Sequence, residues 1–314
     1  MLNYTLRRLL AVVPVMLIVS VIVFLIIHLT PGNPAYLILG EDSSKESIQQ
    51  LETQLGLDQP KAEQFINWMK NIFTGDLGES VYSSEPVLQI IWTHFGPTLS
   101  LMLVSLSIIV ITGIPIAVFV VYKRNTIFDP LFTSFSLVGV SIPEFWLAML
   151  LAIAFGVYIP IFPTSGYIPI AGGIGMWLYH LLMPAVVLAL GEIGLIARML
   201  RDSMLDAIHQ DYTRTAKAKG ISEGAVLRRH VFVNALIPTT TVIGAIIAGL
   251  LGGTVIIETL FTIPGIGQLL VDSIHRRDYP VIQGVILVIA VIYVLVNLVI
   301  DLIYAFLDPR IRYD

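Results

Sequence analysis

The sequence contains no cysteine and few charged residues. Without cysteine, the chain cannot form structural disulfides or thiolate metal sites. Only 13% of its 314 residues are charged, whereas a typical soluble domain has about 25%. Hydrophobic residues make up 56% of the chain, and the mean hydropathy is +0.85. We therefore predict an all-α integral membrane protein in which most side chains face lipid or other apolar helices.

The sequence also lacks the common motifs of nucleotide, metal and acyl chemistry. It has no G-x-x-x-x-G-K-[ST] phosphate-binding loop, which argues against ATP binding of the usual kind. The metal-binding pattern H-E-x-x-H and the nucleophile motif G-x-S-x-G are absent, and the histidines are scattered along the chain. We therefore expect no enzyme activity, no cofactor and no nucleic-acid partner for this chain.

Long apolar runs predict about six transmembrane helices. The first run, in residues 1–30, follows Arg7 and Arg8 and precedes two prolines. It is long enough to span a bilayer, and no small-x-small cleavage site follows it, so we interpret it as an uncleaved span. The predicted spans after the first are residues 98–122, 132–162, 176–200, 236–260 and 281–307. The third span, residues 132–162, should break at Pro143 and Pro160, which leaves 145–159 as its bilayer part.

Residues 31–97 form a polar segment between the first two spans, and we predict two helices in it. Ser43 and Glu46 make a capping box for the first helix, which Gly56 should end. Pro60 should lie in the first turn of the second helix. The apolar face of the first helix is Ile48, Leu51 and Leu55, and that of the second is Phe65, Trp68, Met69 and Ile72. The second face either packs on the membrane surface or a neighbouring helix, or forms a dedicated partner site.

The distribution of Lys and Arg predicts the orientation. With the N-terminus inside, cytoplasmic segments hold 13 of the 18 basic residues, as the positive-inside rule requires. Residues 31–97 are then extracytoplasmic, whereas residues 201–235, the tail 308–314 and both termini are cytoplasmic. The cytoplasmic set is Arg7, Arg8, Lys123, Arg124, Arg198, Arg201, Arg214, Lys217, Lys219, Arg228, Arg229, Arg310 and Arg312; the outer set is Lys45, Lys61, Lys70, Arg276 and Arg277. Arg276 and Arg277 run against the trend, but Asp272 and Asp278 flank them.

Residues 211–238, called the hairpin below, are polar and basic between apolar runs. Asp211 can cap a first short helix, and Ser222 can cap a second one with Glu223 in its first turn. Gly220 lies between them, where the turn requires a residue that tolerates the left-handed conformation. Such a hairpin offers a surface to a partner in water.

Acidic residues inside apolar runs are candidates for function, because charge in lipid is costly. Glu192 lies deepest by sequence, in the fourth span. Two interpretations remain open: a role in a solute or proton pathway, and a buried interhelical hydrogen bond. Glu258 and Asp301 lie nearer to the ends of spans, which favours structural roles. We find no convincing internal repeat of the kind that proton-coupled carriers show.

The hairpin resembles the cytoplasmic coupling loop of ABC importer permeases, whose signature is E-A-A, three residues, then Gly. Here Arg214-Thr215-Ala216 and Gly220 occupy those positions, and Arg in place of Glu is similar to the dipeptide/oligopeptide/nickel branch with its R-T-A-x-A-K-G pattern. Asn33 and Ile263 depart from residues common in the branch. The other shared motifs are Pro31-Gly32-Asn33-Pro34, Leu55-Gly56-Leu57-Asp58-Gln59-Pro60, Gly75-Asp76-Leu77-Gly78, Ser141-Ile142-Pro143, Arg228-Arg229-His230 with Asn234-Ala235, Pro264-Gly265-Ile266-Gly267, Arg277-Asp278-Tyr279-Pro280-Val281-Ile282-Gln283, and Asp308-Pro309-Arg310-Ile311-Arg312.

The resemblance implies the type I ABC importer permease fold, with a transmembrane core in residues 98–307 and the coupling loop in 201–235. It implies a bacterial cytoplasmic membrane location and three kinds of partner: a second permease subunit, two ATPase subunits that carry ATP and Mg, and an extracytoplasmic solute-binding protein. The long outer segment is similar to that of the first of the two permeases. The residues implied in ATPase coupling are Tyr212, Arg214, Thr215, Ala216, Lys219 and Gly220.

The solute follows less directly from the resemblance. Di- and oligopeptides are the first expectation, with nickel chelates or glutathione as alternatives. Two other classes stay open from the residues: an ion-coupled secondary transporter that uses Glu192, and a membrane-embedded scaffold or receptor. Co-purification with ATPase subunits separates the importer from both of these classes.

Overall fold

The computed structural model describes residues 2–29, 44–54 and 58–307, and these residues are almost entirely helical. They contain no β-strand, only one isolated bridge between Glu79 and Pro86. The helices are α1 (Leu2–Leu29), α2 (Lys45–Gln54), α3 (Lys61–Phe73), α4 (Val87–Tyr122), α5 (Phe128–Ser141), α6 (Glu144–Ala152), α7 (Ile174–Ile208), α8 (Asp211–Ala218), α9 (Glu223–Val226), α10 (Phe232–Phe261), α11 (Ile266–Arg276) and α12 (Tyr279–Leu307). The predicted tail 308–314 and the prolines after the first span lie outside the described residues.

By length and composition, the described helices account for four of the six predicted spans, or five when a bent pair counts as one span. Four helical stretches are long and apolar enough to cross a membrane: α4, α7, Glu223–Phe261 and Tyr279–Leu302. The bent pair α5–α6 makes a fifth, and α1 contains the shorter apolar stretch Leu10–Ile26. The predicted break at Pro143 is confirmed, because the two helices of the pair meet at 94°. A turn of π-helix, Ile153–Tyr158, follows α6 and ends before Pro160, since the ring of proline disfavours helix in the preceding residue.

Several helix ends differ from the predictions. α4 begins at Val87 and so extends well into the predicted outer segment, and α7 continues past the predicted boundary at residue 200 to Ile208. Hydropathy marks only the part of a helix that is apolar. Beyond residue 200 the backbone of α7 continues its hydrogen bonds through a polar flank that has no breaker at the apolar boundary, whereas α4 contains Gly96 and Pro97 at that boundary and is helical on both sides of them.

The main core lies where α4, α7 and α10 pack together. Large side chains from all three helices are fully buried there, among them Leu101, Leu188, Ile196 and Ile257. A second apolar cluster lies at the hairpin end of the same bundle. A third, smaller cluster joins the start of α4 to α11 and α12 at the opposite end. The hairpin is therefore built onto the same helices that form the core.

The predicted apolar face of α3 packs on the first span. Phe65, Trp68, Met69 and Ile72 are the half-buried hydrophobic residues of this helix, and its other face is exposed. The rings of Phe65 and Trp68 lie 5.3 and 5.8 Å from the ring of Phe24 in α1. Packing on a neighbouring helix is thus confirmed.

The two helix starts in this segment differ slightly from the predictions. Pro60 is the N-cap of α3 rather than a residue of its first turn. For α2, the Ser44 hydroxyl accepts a hydrogen bond from the Ser47 N–H at 3.2 Å, so the cap lies at this residue. Ser43, Leu55, Gly56 and the side chain of Leu51 lie outside the described residues.

A buried carboxylate organises the corner between α10 and α11. Glu258 is 0% exposed and accepts hydrogen bonds from the Thr98 hydroxyl at 2.6 Å and from the N–H groups of Gly267 and Gln268 at 2.7 and 3.1 Å. It therefore caps the N-terminus of α11, and the predicted structural role is confirmed. The corner also requires glycine, because a Cβ on Gly265 would lie 2.3 Å from the Glu258 Cδ atom.

A second buried acid attaches the segment before α4 to the loop before α12. Asp278 accepts hydrogen bonds from the Ser80 hydroxyl at 2.5 Å and the Val81 N–H at 3.2 Å. The Arg276 guanidinium lies 4.4 Å from the centre of the Tyr82 ring. Within the described residues Asp278 thus binds the 80–82 loop and forms no ion pair with the neighbouring arginines.

Candidate functional site

The hairpin consists of one short helix and the beginning of a long one. α8 is followed by Lys219 and by Gly220 at φ +80°, as the predicted left-handed turn requires. After Ser222, helix α9, a turn of π-helix (Leu227–Val231) and α10 follow without a break. The prediction of two short helices is therefore wrong for the second one, because no breaker separates it from the apolar run of the next span.

The predicted caps are also corrected. Asp211 is the first residue of α8, and Gln210 holds the N-cap position without a side-chain bond. Only residues 209 and 210 link α7 to α8, so the short link decides where the helix begins. Ser222 does occupy the N-cap position of α9, but its hydroxyl makes no capping hydrogen bond. Glu223 is the first residue of α9, and its Oε1 atom lies 3.7 Å from Arg124 Nη2 and 3.7 Å from Lys217 Nζ.

The inner face of α8 fixes the hairpin to the end of α7. Thr213 is 0% exposed, and its hydroxyl donates a hydrogen bond to the Ala207 carbonyl at 2.8 Å. Ala216, one turn later, is 4% exposed and packs in the apolar cluster at this end of the bundle. Residues from α7 and from the start of the next span complete that cluster, including Met204, Val226 and Val231. The hairpin is therefore rigidly joined to two spans.

The predicted coupling residues divide between two faces of the hairpin. Tyr212 is 42% exposed, and Arg214, Thr215, Lys219 and Gly220 are exposed as well. Ala216 instead faces the chain's own core, so its small side chain lets α8 lie close to α7. The outer face thus carries a tyrosine, two cations and a hydroxyl on a rigid helix.

Sequence reasoning missed Thr213 and an ion pair between α5 and α7 near the hairpin. Thr213 precedes Ala216 by three residues, so the helical period places both side chains on one face, and this spacing was the available signal. The ion pair joins Arg201 of α7 to Asp129 of α5 at 2.6 Å. No sequence signal identifies that pair, because the two residues are brought together only by the packing of α5 against α7.

Glu192 lies on α7 among three spans. It is half-buried, and its Oε2 atom is buried without a hydrogen-bond partner among the described residues. The expected interhelical hydrogen bond is therefore not formed at this oxygen. The carboxylate of Glu144, the first residue of α6, is close enough for the two charges to interact. Glu144 also lies against α10, since a Cβ on Gly253 would be 3.1 Å from its Oε2 atom.

Glu144 was also missed, although its position was a usable signal. It is an acid directly after a proline that interrupts an apolar run. Charged side chains in membrane-spanning segments usually face a protein interior or a water-filled cavity. The pair Glu144 and Glu192 therefore places two acidic side chains in the region between α6, α7 and α10.

Comparison with known proteins identifies the family. A family described as "Binding-protein-dependent transport system inner membrane component" matches residues 112–313. The description of a second matching family, over residues 1–102, names the N-terminal part of such membrane components. The chain belongs to this family of binding-protein-dependent transport components. It is accordingly a multi-pass inner-membrane protein of the ABC importer permease class.

Two relatives and one solved structure extend this result. The chain is 45% identical over 309 residues to a Brucella abortus protein with the inferred name of a peptide transport system permease protein. The match covers 98% of each of the two chains. It is 42% identical over 313 residues to the glutathione transport system permease protein GsiC of Escherichia coli, with full coverage of both. The crystal structure of an amino acid ABC transporter with histidines matches at a TM-score of 0.55 and 14% identity, over 69% of this chain and 94% of that one. At that identity the match shows the fold alone, which is the type I ABC importer permease fold.

Proposed function

We propose that the chain is a permease subunit of an ATP-driven importer that takes up di- and oligopeptides from a solute-binding protein. The observation that carries the proposal is the hairpin, a basic surface that is rigidly fixed to two spans of a chain without a nucleotide-binding motif. Such a chain needs an external source of energy, and the hairpin is its most suitable contact. The energy then comes from two ATPase subunits, which carry the ATP and Mg.

In this proposal the exposed face of α8 docks on an ATPase subunit. Tyr212 supplies apolar area with a polar tip, and Arg214 and Lys219 supply charge-assisted hydrogen bonds. Residues Thr213 and Ala216 do not touch the partner but hold α8 on α7. Movement of the ATPases is therefore passed to α7 and α10 without being absorbed in a flexible loop. This arrangement requires residues 201–235 and both termini to be cytoplasmic.

A second permease subunit completes the pathway on the face that carries Glu144 and Glu192. Both side chains are half-exposed on the single chain, and a carboxylate facing lipid would be costly. A water-filled passage shared between two subunits removes that cost. The proposal therefore assigns both residues to the wall of this passage.

The peptide class is supported by the relatives. One is named for peptides, and the other for glutathione, which is itself a tripeptide. Glutathione and nickel chelates remain the alternative solutes for the same architecture. An ion-coupled carrier that uses Glu192, the other transport class left open by the residues, does not fit the family match.

One experiment separates these functions. The tagged chain is purified with its co-expressed permease, ATPase and binding-protein partners and reconstituted in proteoliposomes. We expect ATP-dependent uptake of radiolabelled dialanine, and competition by tetra-alanine should exceed that by glutathione or nickel–histidine. Uptake by liposomes that lack the ATPases, driven by a pH gradient, would instead support the ion-coupled carrier. Co-purification without any uptake would contradict both functions.

A further inference from the structure

Among the ion pairs described near the hairpin, the one between Arg201 of α7 and Asp129 of α5 has the least exposed side chains. Arg201 donates from Nε at 2.8 Å and from Nη2 at 2.6 Å to Asp129 Oδ1, and its Nη1 lies 2.5 Å from Asp202. The Arg201 and Asp129 side chains are only 18% and 20% exposed. Asp129 also lies in the first turn of α5, where the helix dipole favours a negative charge.

The ion pairs of the hairpin itself are weaker. Arg214 with Asp211, and Glu223 with Arg124 and Lys217, all lie at 3.7 Å, and each pair has a side chain that is more than half exposed. Exposed pairs contribute little because water and salt screen them. Partly covered, charge-assisted contacts with two donors are stronger. Arg201 and Asp129 thus form the firmest charged connection around the hairpin.

The rest of α5 also lies close to α7. An ideal Cβ on Gly194 of α7 would be 3.4 Å from the Ser136 Cβ atom and 3.2 Å from its Cα atom. The two helices therefore touch at backbone distance in their middle parts and are joined by the ion pair at the hairpin end. Two points of attachment allow α5 to move with α7 as one body.

Each of the two helices leads to a different functional element. α7 ends at the hairpin, which the Thr213 hydrogen bond fixes to it. α5 ends at the 94° bend, after which Glu144 begins α6. The ion pair therefore lies on the physical connection between the surface that contacts the ATPase and the bend beside the carboxylate pair.

We infer that Arg201 and Asp129 are positioning residues that make α5 follow α7, so that displacement of the hairpin moves the bend at Pro143. The inference rests on the proposed function. Without the pair, the hairpin still binds the ATPases and α7 still moves, but α5 lags behind. ATP hydrolysis then continues while less solute is carried for each ATP consumed.

The test uses the reconstituted importer complex with radiolabelled dialanine as the probe. Asp129→Asn keeps the size of the side chain and removes its charge. We expect at least a tenfold lower uptake per ATP hydrolysed, with an unchanged amount of ATPase subunit bound to the purified complex. Asp202→Asn is the matched control, because it removes the other, exposed carboxylate beside Arg201; its uptake per ATP should stay within twofold of the parent. If Asp129→Asn lowers the folded yield, Arg201→Lys replaces it, since lysine keeps the charge but loses the two-donor contact.

A cross-link separates positioning from a merely structural role. The chain has no cysteine, so Ser136→Cys with Gly194→Cys allows one disulfide between α5 and α7. The two Cβ positions lie 3.4 Å apart, at the short end of the range for disulfides, so the reduced double variant with Asp129 intact is measured first and should transport as the parent does. In the Asp129→Asn protein, oxidation should restore uptake per ATP to within threefold of the parent, and reduction should abolish the rescue. Normal uptake per ATP in Asp129→Asn, or no rescue on oxidation, overturns the inference. Loss of uptake on oxidation of an otherwise unchanged chain overturns it too, because α5 would then have to slide on α7. A parent complex without ATP-dependent uptake would instead contradict the proposed function itself.

Discussion

The Thr213 hydroxyl donates a hydrogen bond to the Ala207 carbonyl oxygen at 2.8 Å, and both residues are buried. Ala207 lies in the last turn of α7, and Thr213 lies in the first turn of α8. One buried bond therefore closes the corner between a span and the hairpin. The same carbonyl, at the end of α7, also accepts the Gln210 N–H at 3.3 Å, so the Thr213 hydroxyl is its second partner across the corner.

Replacement of Thr213 by valine should loosen the hairpin. Thr213→Val keeps the shape and removes the hydroxyl donor, while the Ala207 carbonyl retains the Gln210 N–H, so the loss is that of one hydrogen bond, about 0.5–1.5 kcal/mol. We expect faster trypsin cleavage after Arg214 and Lys217 in detergent-solubilised protein. Thr215→Val is the control, because the Thr215 hydroxyl bonds only to the Asp211 carbonyl on the exposed face. Equal cleavage rates in the two variants would show that the buried bond does not hold the corner.

Gly220→Val should abolish ATP-driven uptake while the protein still inserts in the membrane. Gly220 has φ +80° and no atom near the position of a Cβ, so the demand for glycine comes from the backbone alone. A β-branched residue there costs about 1–3 kcal/mol of strain, which changes the angle between α8 and α9. Uptake of radiolabelled dialanine and the yield of membrane-inserted protein are measured together.

Gly224→Val is the matched control for this change. Gly224 also has free space at the Cβ position, but its φ is not positive. This variant should retain at least half of the parent's uptake. Full uptake activity in the Gly220 variant would show that the turn has no part in coupling.

Tyr212 and Ala216 should fail in different ways. Ala216→Glu puts a charge into an apolar cluster and should lower the melting temperature of the purified chain as well as ATPase binding. Tyr212→Ala removes a side chain on the exposed face and should weaken ATPase binding at least tenfold with an unchanged melting temperature. Thermal shift and pull-down of the ATPase subunits separate the two effects. A matching fall in melting temperature for both variants would contradict the division of the hairpin into a supporting and a docking face.

The orientation can be tested with single cysteines, because the chain has none of its own. Ser83→Cys and Ser222→Cys both place a thiol at an exposed position. An impermeant maleimide should label the first variant in intact cells and the second only after lysis, as the distribution of basic residues predicts. The reverse pattern would invert the topology and place the hairpin on the side of the membrane opposite to the ATPase subunits.

Much of the fold could be predicted from the sequence because lipid imposes a strong length and hydropathy requirement on each span. The break at Pro143 and the half-buried face of α3 followed from local rules of the same kind. Helix ends could not be predicted as well. α7 ends at Ile208 in a polar flank, where hydropathy carries no information, and α4 begins at Val87 because the helix passes through Gly96 and Pro97, which the sequence rules treat as a boundary. α9 merges with α10 because the chain continues without a breaker.

The candidate site was predictable in position and only partly in detail. The motif located the hairpin, and Gly220 has the expected positive φ. Which side of α8 faces inward depends on how α7 and α10 pack around it, so the burial of Ala216 did not follow from the motif. The pair Arg201 and Asp129 depends on a contact between separate helices, which neither periodicity nor composition reveals, whereas Glu144 directly after Pro143 was a usable signal.

The most direct test of the central claim is site-specific photo-cross-linking in intact cells. Tyr212→benzoylphenylalanine puts a photoreactive group on the exposed face of α8. The account predicts a cross-linked product with an ATPase subunit from this position and none from the same substitution at Phe73, which lies exposed at the end of α3. Absence of the ATPase product from Tyr212, or an equal product from Phe73, would contradict the assignment of the hairpin as the coupling element.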